Sequence, residues 1–145
     1  MYRFKLEALL SHRRHQEEAC QKELAQARRR LTDEREKLER KKKEKQESLE
    51  KLQVKKKESK TVSDIMLYMN YIQQLSKDIE DQAMHVHKTA KLVDQKRHEL
   101  VSIMQKHKTL KNLKYKEQQA YQQKLMQDER KFMDELAAIR HARKM

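Results

Sequence analysis

The chain has 145 residues, 41% of them charged and 36% hydrophobic, with neither glycine nor proline and a net charge of +13. That is too little apolar surface for a deep globular core, yet enough for a one-sided helical seam. Without glycine there are no phosphate-cradling loops and almost no tight turns, so long uninterrupted helices are expected. The basic excess points to acidic partners: nucleic acid, an anionic membrane surface or an acidic protein.

Residues 2 to about 58 read as one helix. Leu10, Leu24, Leu31, Leu38 and Leu52 share one heptad position, and Leu6, Cys20 and Ala27 hold its companion. Glu17 and Lys45 break the first line, and Arg13, Glu34 and Lys41 break the second. Such a seam is too thin to stand alone and needs a stronger partner helix. Between Arg28 and Lys60 the helix is crowded with charge, including Lys41-Lys42-Lys43 and Lys55-Lys56-Lys57. These runs suit a solvated face with pairs such as Glu36–Arg40 and Glu47–Lys51, or a basic stripe for an acidic partner.

A turn is expected at about residues 59–63, where serine and threonine cluster and the heptads lapse. Thr61 and Asp64 match the Ser/Thr-x-x-acid capping pattern.

The second helix, expected from about 64 to 142, opens with the strongest signal in the chain. Ile65, Ile72, Ile79, Val86, Val93 and Leu100 recur at every seventh residue. Mostly β-branched side chains at that spacing make a seam that must be covered. A phase shift is expected near His107, with the line continuing through Leu110 and Leu113 and resuming at Tyr121. At 1.5 Å per residue the two helices would be roughly 85 and 120 Å long. The expected fold is therefore all-α, a single domain over 1–145. It is a long antiparallel two-helix coiled-coil hairpin with an overhanging C-terminal helix. The overhang carries Leu125, Phe132, Leu136 and Ile139, an unpaired stripe that asks for a binding partner.

No catalytic constellation is legible, and no enzyme activity, cofactor, metal site or small-molecule substrate is expected. The seven histidines read as exposed helix residues, and Cys20 as a small seam residue. One cysteine allows no intrachain disulfide and fits a reducing compartment. Arg3, Lys5 and Glu7 interrupt any apolar signal core, and Ile65 to Met69 is too short to cross a bilayer. The absence of a stacking platform weighs against nucleic acid as the partner.

The opening Tyr2-Arg3-Phe4-Lys5-Leu6-Glu7-Ala8-Leu9-Leu10 resembles the start of the FliJ family of flagellar type III export proteins. Asp128-Glu129-Arg130-Lys131-Phe132-Met133-Asp134-Glu135-Leu136-Ala137, with Arg140 and Arg143, resembles that family's C-terminal signature. Tyr68-Met69-Asn70-Tyr71-Ile72-Gln73-Gln74-Leu75 looks like its aromatic-rich start of the second helix. The resemblance implies a stalk similar to the γ subunit of rotary ATPases. Such a stalk inserts into a hexameric flagellar export ATPase, promotes its assembly and activity, links it to the membrane export gate and helps recycle export chaperones. It implies a cytoplasmic location, peripheral at the inner face of the membrane.

Carried over by position, Phe4, Leu6 and Leu10, paired with the second helix near the inserted end, and Phe132, Met133, Asp134, Glu135, Arg140 and Arg143 would contact the ATPase ring. Tyr68, Tyr71 and Leu75 would contact the gate. Arg140 and Arg143 also suit the negative end of a helix dipole, and Tyr71 and Leu75 could equally be seam neighbours. The lysine run from Lys41 to Lys57 departs from the family pattern and weakens the gate assignment. A virulence-type export stalk and a basic nucleic-acid-binding or scaffold coiled coil are the alternatives.

Overall fold

A computed structural model describes residues 2–58 and 61–144. Two helices, α1 (Glu7–Lys57) and α2 (Val62–Lys144), pack against each other as a helical hairpin. Where cross-helix partners meet, numbers rise along α1 as they fall along α2, the mark of an antiparallel pair.

Each helix boundary has a local cause. Tyr2–Phe4 are not helical, and α1 begins at Glu7 after a turn closed by the Glu7 N–H donating to the Phe4 carbonyl (3.2 Å). The helix therefore starts later than the heptads suggest, because Tyr2 and Phe4 are used as side-chain anchors (described below). At the other end Lys55, Lys56 and Lys57 fill the last turn of α1, where positive charge suits the helix dipole. The expected turn falls partly on Ser59 and Lys60, which lie outside the described residues. Thr61 caps α2: its Oγ1 accepts from the Asp64 N–H at 3.3 Å, and its carbonyl accepts from the Ile65 N–H at 3.2 Å. The cap sets the start of α2 at Val62, two residues ahead of the expected start.

The chain divides into two compact units, Ala19–Leu100 and Met1–Glu18 with Val101–Met145. In the first, Leu24, Ala27, Leu31 and Val93 form the core cluster, with Val86, Ala90 and Leu100 packed against it. Leu52, Ile72 and Leu75 are also buried, while Ile65 and Ile79 are half-covered. The seam positions read as breaks are occupied seam positions. Gln82, 6% exposed, donates its Nε2–H to the Glu34 carbonyl (2.9 Å) and also to the Glu34 carboxylate. A polar side chain can sit there because its partner comes from the facing helix.

In the second unit the expected phase shift does not occur. His107, Lys114 and Tyr121 keep the seven-residue spacing; His107 is 8% exposed, and Lys114 and Tyr121 are half-buried. Of the two leucines expected to carry the line, Leu110 is half-buried, whereas Leu113 lies off it and is 40% exposed. The cause is Glu17: its carboxylate hydrogen-bonds His107 Nδ1, and the two form a polar layer within the seam. His107 is thereby a buried partner and not one of a set of exposed histidines.

Candidate partner-binding surfaces

The N-terminal segment is held against α2 through Tyr2 and Glu7. The Tyr2 ring lies 5.6 Å from that of Tyr121, tilted by 46°, and its hydroxyl reaches the Lys114 carbonyl and the Glu117 carboxylate, both at 3.4 Å. Phe4 is 6% exposed, and the Lys114 ammonium meets the Glu7 carboxylate at 2.9 Å. Burial, with Glu117 and Glu7 nearby, pushes the Tyr2 phenol above its ordinary value. Of the three N-terminal residues assigned to a ring contact, Phe4 is covered, Leu10 half-buried and Leu6 exposed.

Tyr121 marks where pairing ends within this unit. From residue 122 to residue 144 every residue of α2 is exposed. Phe132 is 61% and Met133 64% exposed, and Asp134, Glu135, Arg140 and Arg143 are exposed beside them. Leu125, Phe132, Leu136 and Ile139 recur at helical spacing, so they form one stripe. Met133, Leu136, Ala137, Arg140 and His141 line a shallow surface groove of about 390 Å³. About six turns of helix thus carry an apolar stripe that the described residues leave uncovered.

The tyrosines near the start of α2 are placed differently. The Lys55 ammonium sits 4.0 Å above the Tyr68 ring, a cation–π contact. Lys55, through hydrogen bonding and then its charge, with Lys51 behind it, lowers the Tyr68 phenol from its ordinary value. Tyr71 donates its hydroxyl to the Glu44 carboxylate, and that bond raises the Tyr71 phenol. Both rings line a groove of about 450 Å³ with Leu67, Ser48 and Glu47. Leu75, by contrast, is 6% exposed and belongs to the seam, so of its two sequence readings the structure favours packing. The lysine run that departs from the family pattern supplies Lys51 and Lys55 to this face.

Along the polar faces the ion pairs Glu34–Lys37 and Glu39–Lys42 span three residues, both at 3.8 Å, in place of the four-residue pairs expected. Exposed pairs of this kind add little stability.

Cys20, Glu23 and Glu99 bring potential ligand atoms within 4.8 Å of one another. Lys96 occupies that group, bonding Glu23 at 3.0 Å and Glu99 at 3.6 Å. Burial raises the Cys20 thiol, and both carboxylates raise it further, with Lys96 acting in the opposite direction. Sequence reasoning missed Lys96 as the balancing charge, although its spacing of three residues from Glu99 could have shown it.

Among the described residues, no helix is long and apolar enough to cross a membrane. A helical hairpin with polar layers in its seam and an uncovered apolar stripe at one end has the build of a coiled-coil interaction protein. The family model "Flagellar FliJ protein" matches residues 2–145, and the chain belongs to that family. It is accordingly a component related to flagellar protein export, in a family that is non-catalytic. No curated protein and no solved structure matches the chain.

Proposed function

We propose that the chain is a stalk of the flagellar export apparatus, inserted by its paired termini into a hexameric export ATPase. The supporting observation is the uncovered stripe Leu125, Phe132, Leu136 and Ile139 on a continuous helix beyond Tyr121. In this reading Phe132 and Met133 are the apolar anchors, and Asp134, Glu135, Arg140 and Arg143 are charged positions that fix orientation in the ring. Phe4 acts from beneath by holding the N-terminal segment in place, and Leu6 and Leu10 extend the surface. Tyr68 and Tyr71 form the contact with the membrane export gate, which brings the protein to the inner face of the membrane from the cytoplasm. Export chaperones are the remaining partners.

The test is ATP hydrolysis by the cognate export ATPase with the full chain and with a truncation ending before Leu125. Stimulation by the full chain and its loss on truncation are expected. Equal stimulation by both would remove the overhang from the contact.

A second reading, sequence-independent binding to nucleic acid, is favoured by one observation. Between Glu99 and Glu117, α2 carries Lys106, Lys108, Lys111, Lys114 and Lys116 and no carboxylate. It calls for affinity that falls steeply with salt through counterion release, and for no ATPase stimulation.

A further inference from the structure

Near the hairpin end of unit Ala19–Leu100, two antiparallel helices leave a groove on each of their faces. One groove holds Tyr68 and Tyr71 and is edged by Glu44 and Glu47. The other, of about 540 Å³, is walled by Leu49, Leu52, Met66, Met69 and Ile72, and Lys45 is its charged residue. No carboxylate lines it. Met66 is 57% and Met69 51% exposed, and both line the groove beside Leu49, Leu52 and Ile72.

The charge around the groove has one dominant sign. Lys41 lies one turn before Lys45, Lys56 one turn beyond Leu52, and Lys77 one turn beyond Gln73, so all three continue the stripes that build the walls. Glu80, one turn beyond Ser76, is the acidic exception. The carboxylates of this end of α1, Glu44, Glu47, Glu50 and Glu58, line the grooves elsewhere. The groove is thus apolar in its floor, adaptable in its methionine wall and basic at its rim.

We infer that this groove docks an amphipathic helix of a partner protein, its apolar face on Met66, Met69 and Leu49 and its acidic flanks toward Lys45 and the neighbouring lysines. A third helix laid along a two-helix pair completes a three-helix bundle, which is how a half-covered wall residue such as Leu49 loses its remaining exposure. The walls span about three turns of α2, which suits a ligand helix with anchors at i, i+3, i+4 and i+7. The groove shares no residue with the stripe beyond Tyr121 or with the groove that holds Tyr68 and Tyr71, so the inference goes beyond the stalk reading and does not depend on it.

The probe is a synthetic helical peptide with leucines at i, i+3, i+4 and i+7 and glutamates on the remaining positions. It is titrated into the full chain carrying methyl-labelled methionine at all eight methionines. Saturable binding with shifts at Met66 and Met69, and none at Met126 or Met133, is expected. The same peptide with lysine for glutamate should bind on the order of tenfold more weakly, as should the acidic peptide to Lys45→Glu, because like charges then meet across the groove. Met69→Glu should lose binding while keeping full helicity and unchanged ATPase stimulation. Leu67→Ser, whose site lines the other groove, should bind as the unaltered chain does.

No saturable binding, equal affinity for both peptides, or unaltered binding by Met69→Glu would overturn the inference. Sedimentation with phosphatidylglycerol vesicles that Met66→Ser and Met69→Ser abolish, without peptide binding, would assign the groove to a bilayer instead. Concentration-dependent dimers abolished by the same changes would assign it to a second copy of the chain.

Discussion

His107 and Glu17 face each other within the seam, the imidazole Nδ1 in hydrogen-bond contact with the carboxylate, 90 residues apart in sequence. Their side chains are 10% and 18% exposed. Each has the other in place of water, so removing one strands its partner. His107→Ala and Glu17→Ala should each cost about 1–3 kcal/mol in thermal or urea unfolding. The double replacement with leucine should recover most of that loss, since an apolar pair of similar volume is often at least as stable. Additive losses in the double variant would show that the two residues do not interact.

Leu31 and Leu67 test which face is packed. Leu31 belongs to the core cluster, whereas Leu67 is largely exposed. Leu31→Ala should destabilise by about 2–3 kcal/mol, and Leu67→Ala by no more than about 0.5 kcal/mol. Ile79→Asp should be worse than either, because it places an unpaired charge on the seam. An unchanged melting curve for Ile79→Asp would contradict the register.

Thr61 is the side-chain cap of α2 through its bond from the Asp64 N–H. Thr61→Ala should cost about 1 kcal/mol and Thr61→Ser much less. Hydrogen exchange at the Asp64 amide reads the same effect locally, with faster exchange in the alanine variant.

The overhang can be separated from the hairpin by function. Phe132→Ala and Leu136→Ala should leave the helical circular dichroism nearly unaltered, since both side chains are exposed, while weakening stimulation of the export ATPase. Loss of helicity in step with stimulation would make the stripe a packing feature.

Two cross-helix contacts predict the pH dependence of stability. The bond from Gln82, with Lys37 nearby, lowers the Glu34 carboxyl below its ordinary value. Its contribution is present above the unfolded value and is lost as pH falls through the folded one. Bonding to Glu23 raises Lys96, whose contribution is present below the ordinary lysine value and is lost as pH rises through the elevated one. Stability attributable to this pair of contacts should be level across neutral pH and decline at both extremes. Gln82→Leu should flatten the acid limb and leave the alkaline one, as followed by melting temperature against pH.

The heptads from Ile65 to Leu100 were sufficient to read the hairpin, because a line of six apolar residues, five of them β-branched, has few uses other than a seam. Thr61 and Asp64 likewise announced their cap, since the motif is local. Residues whose role depends on a distant partner were not legible. His107 reads as a gap until Glu17 is seen opposite it, and Glu34 as a break until Gln82 meets it. Tyr2 and Phe4 look like the first turn of a helix, and only the position of Tyr121 shows why the chain leaves helical geometry there. At the candidate surfaces, the exposure of Phe132 and Met133 followed from counting turns. The covering of Leu75 was one of its two open readings, and the sequence could not choose between them, because burial at the edge of a two-helix seam depends on which rotamers the facing helix allows.

The polar layers have a mechanical consequence. Displacing α1 along α2 by one heptad would set Glu17 against Leu100 or Lys114, and Glu34 against Leu75 or Thr89. Purely leucine seams tolerate such sliding, since one heptad resembles the next, whereas here every alternative alignment strands a carboxylate or an imidazole. Within each unit the polar layer therefore opposes slippage of one helix along the other under axial load.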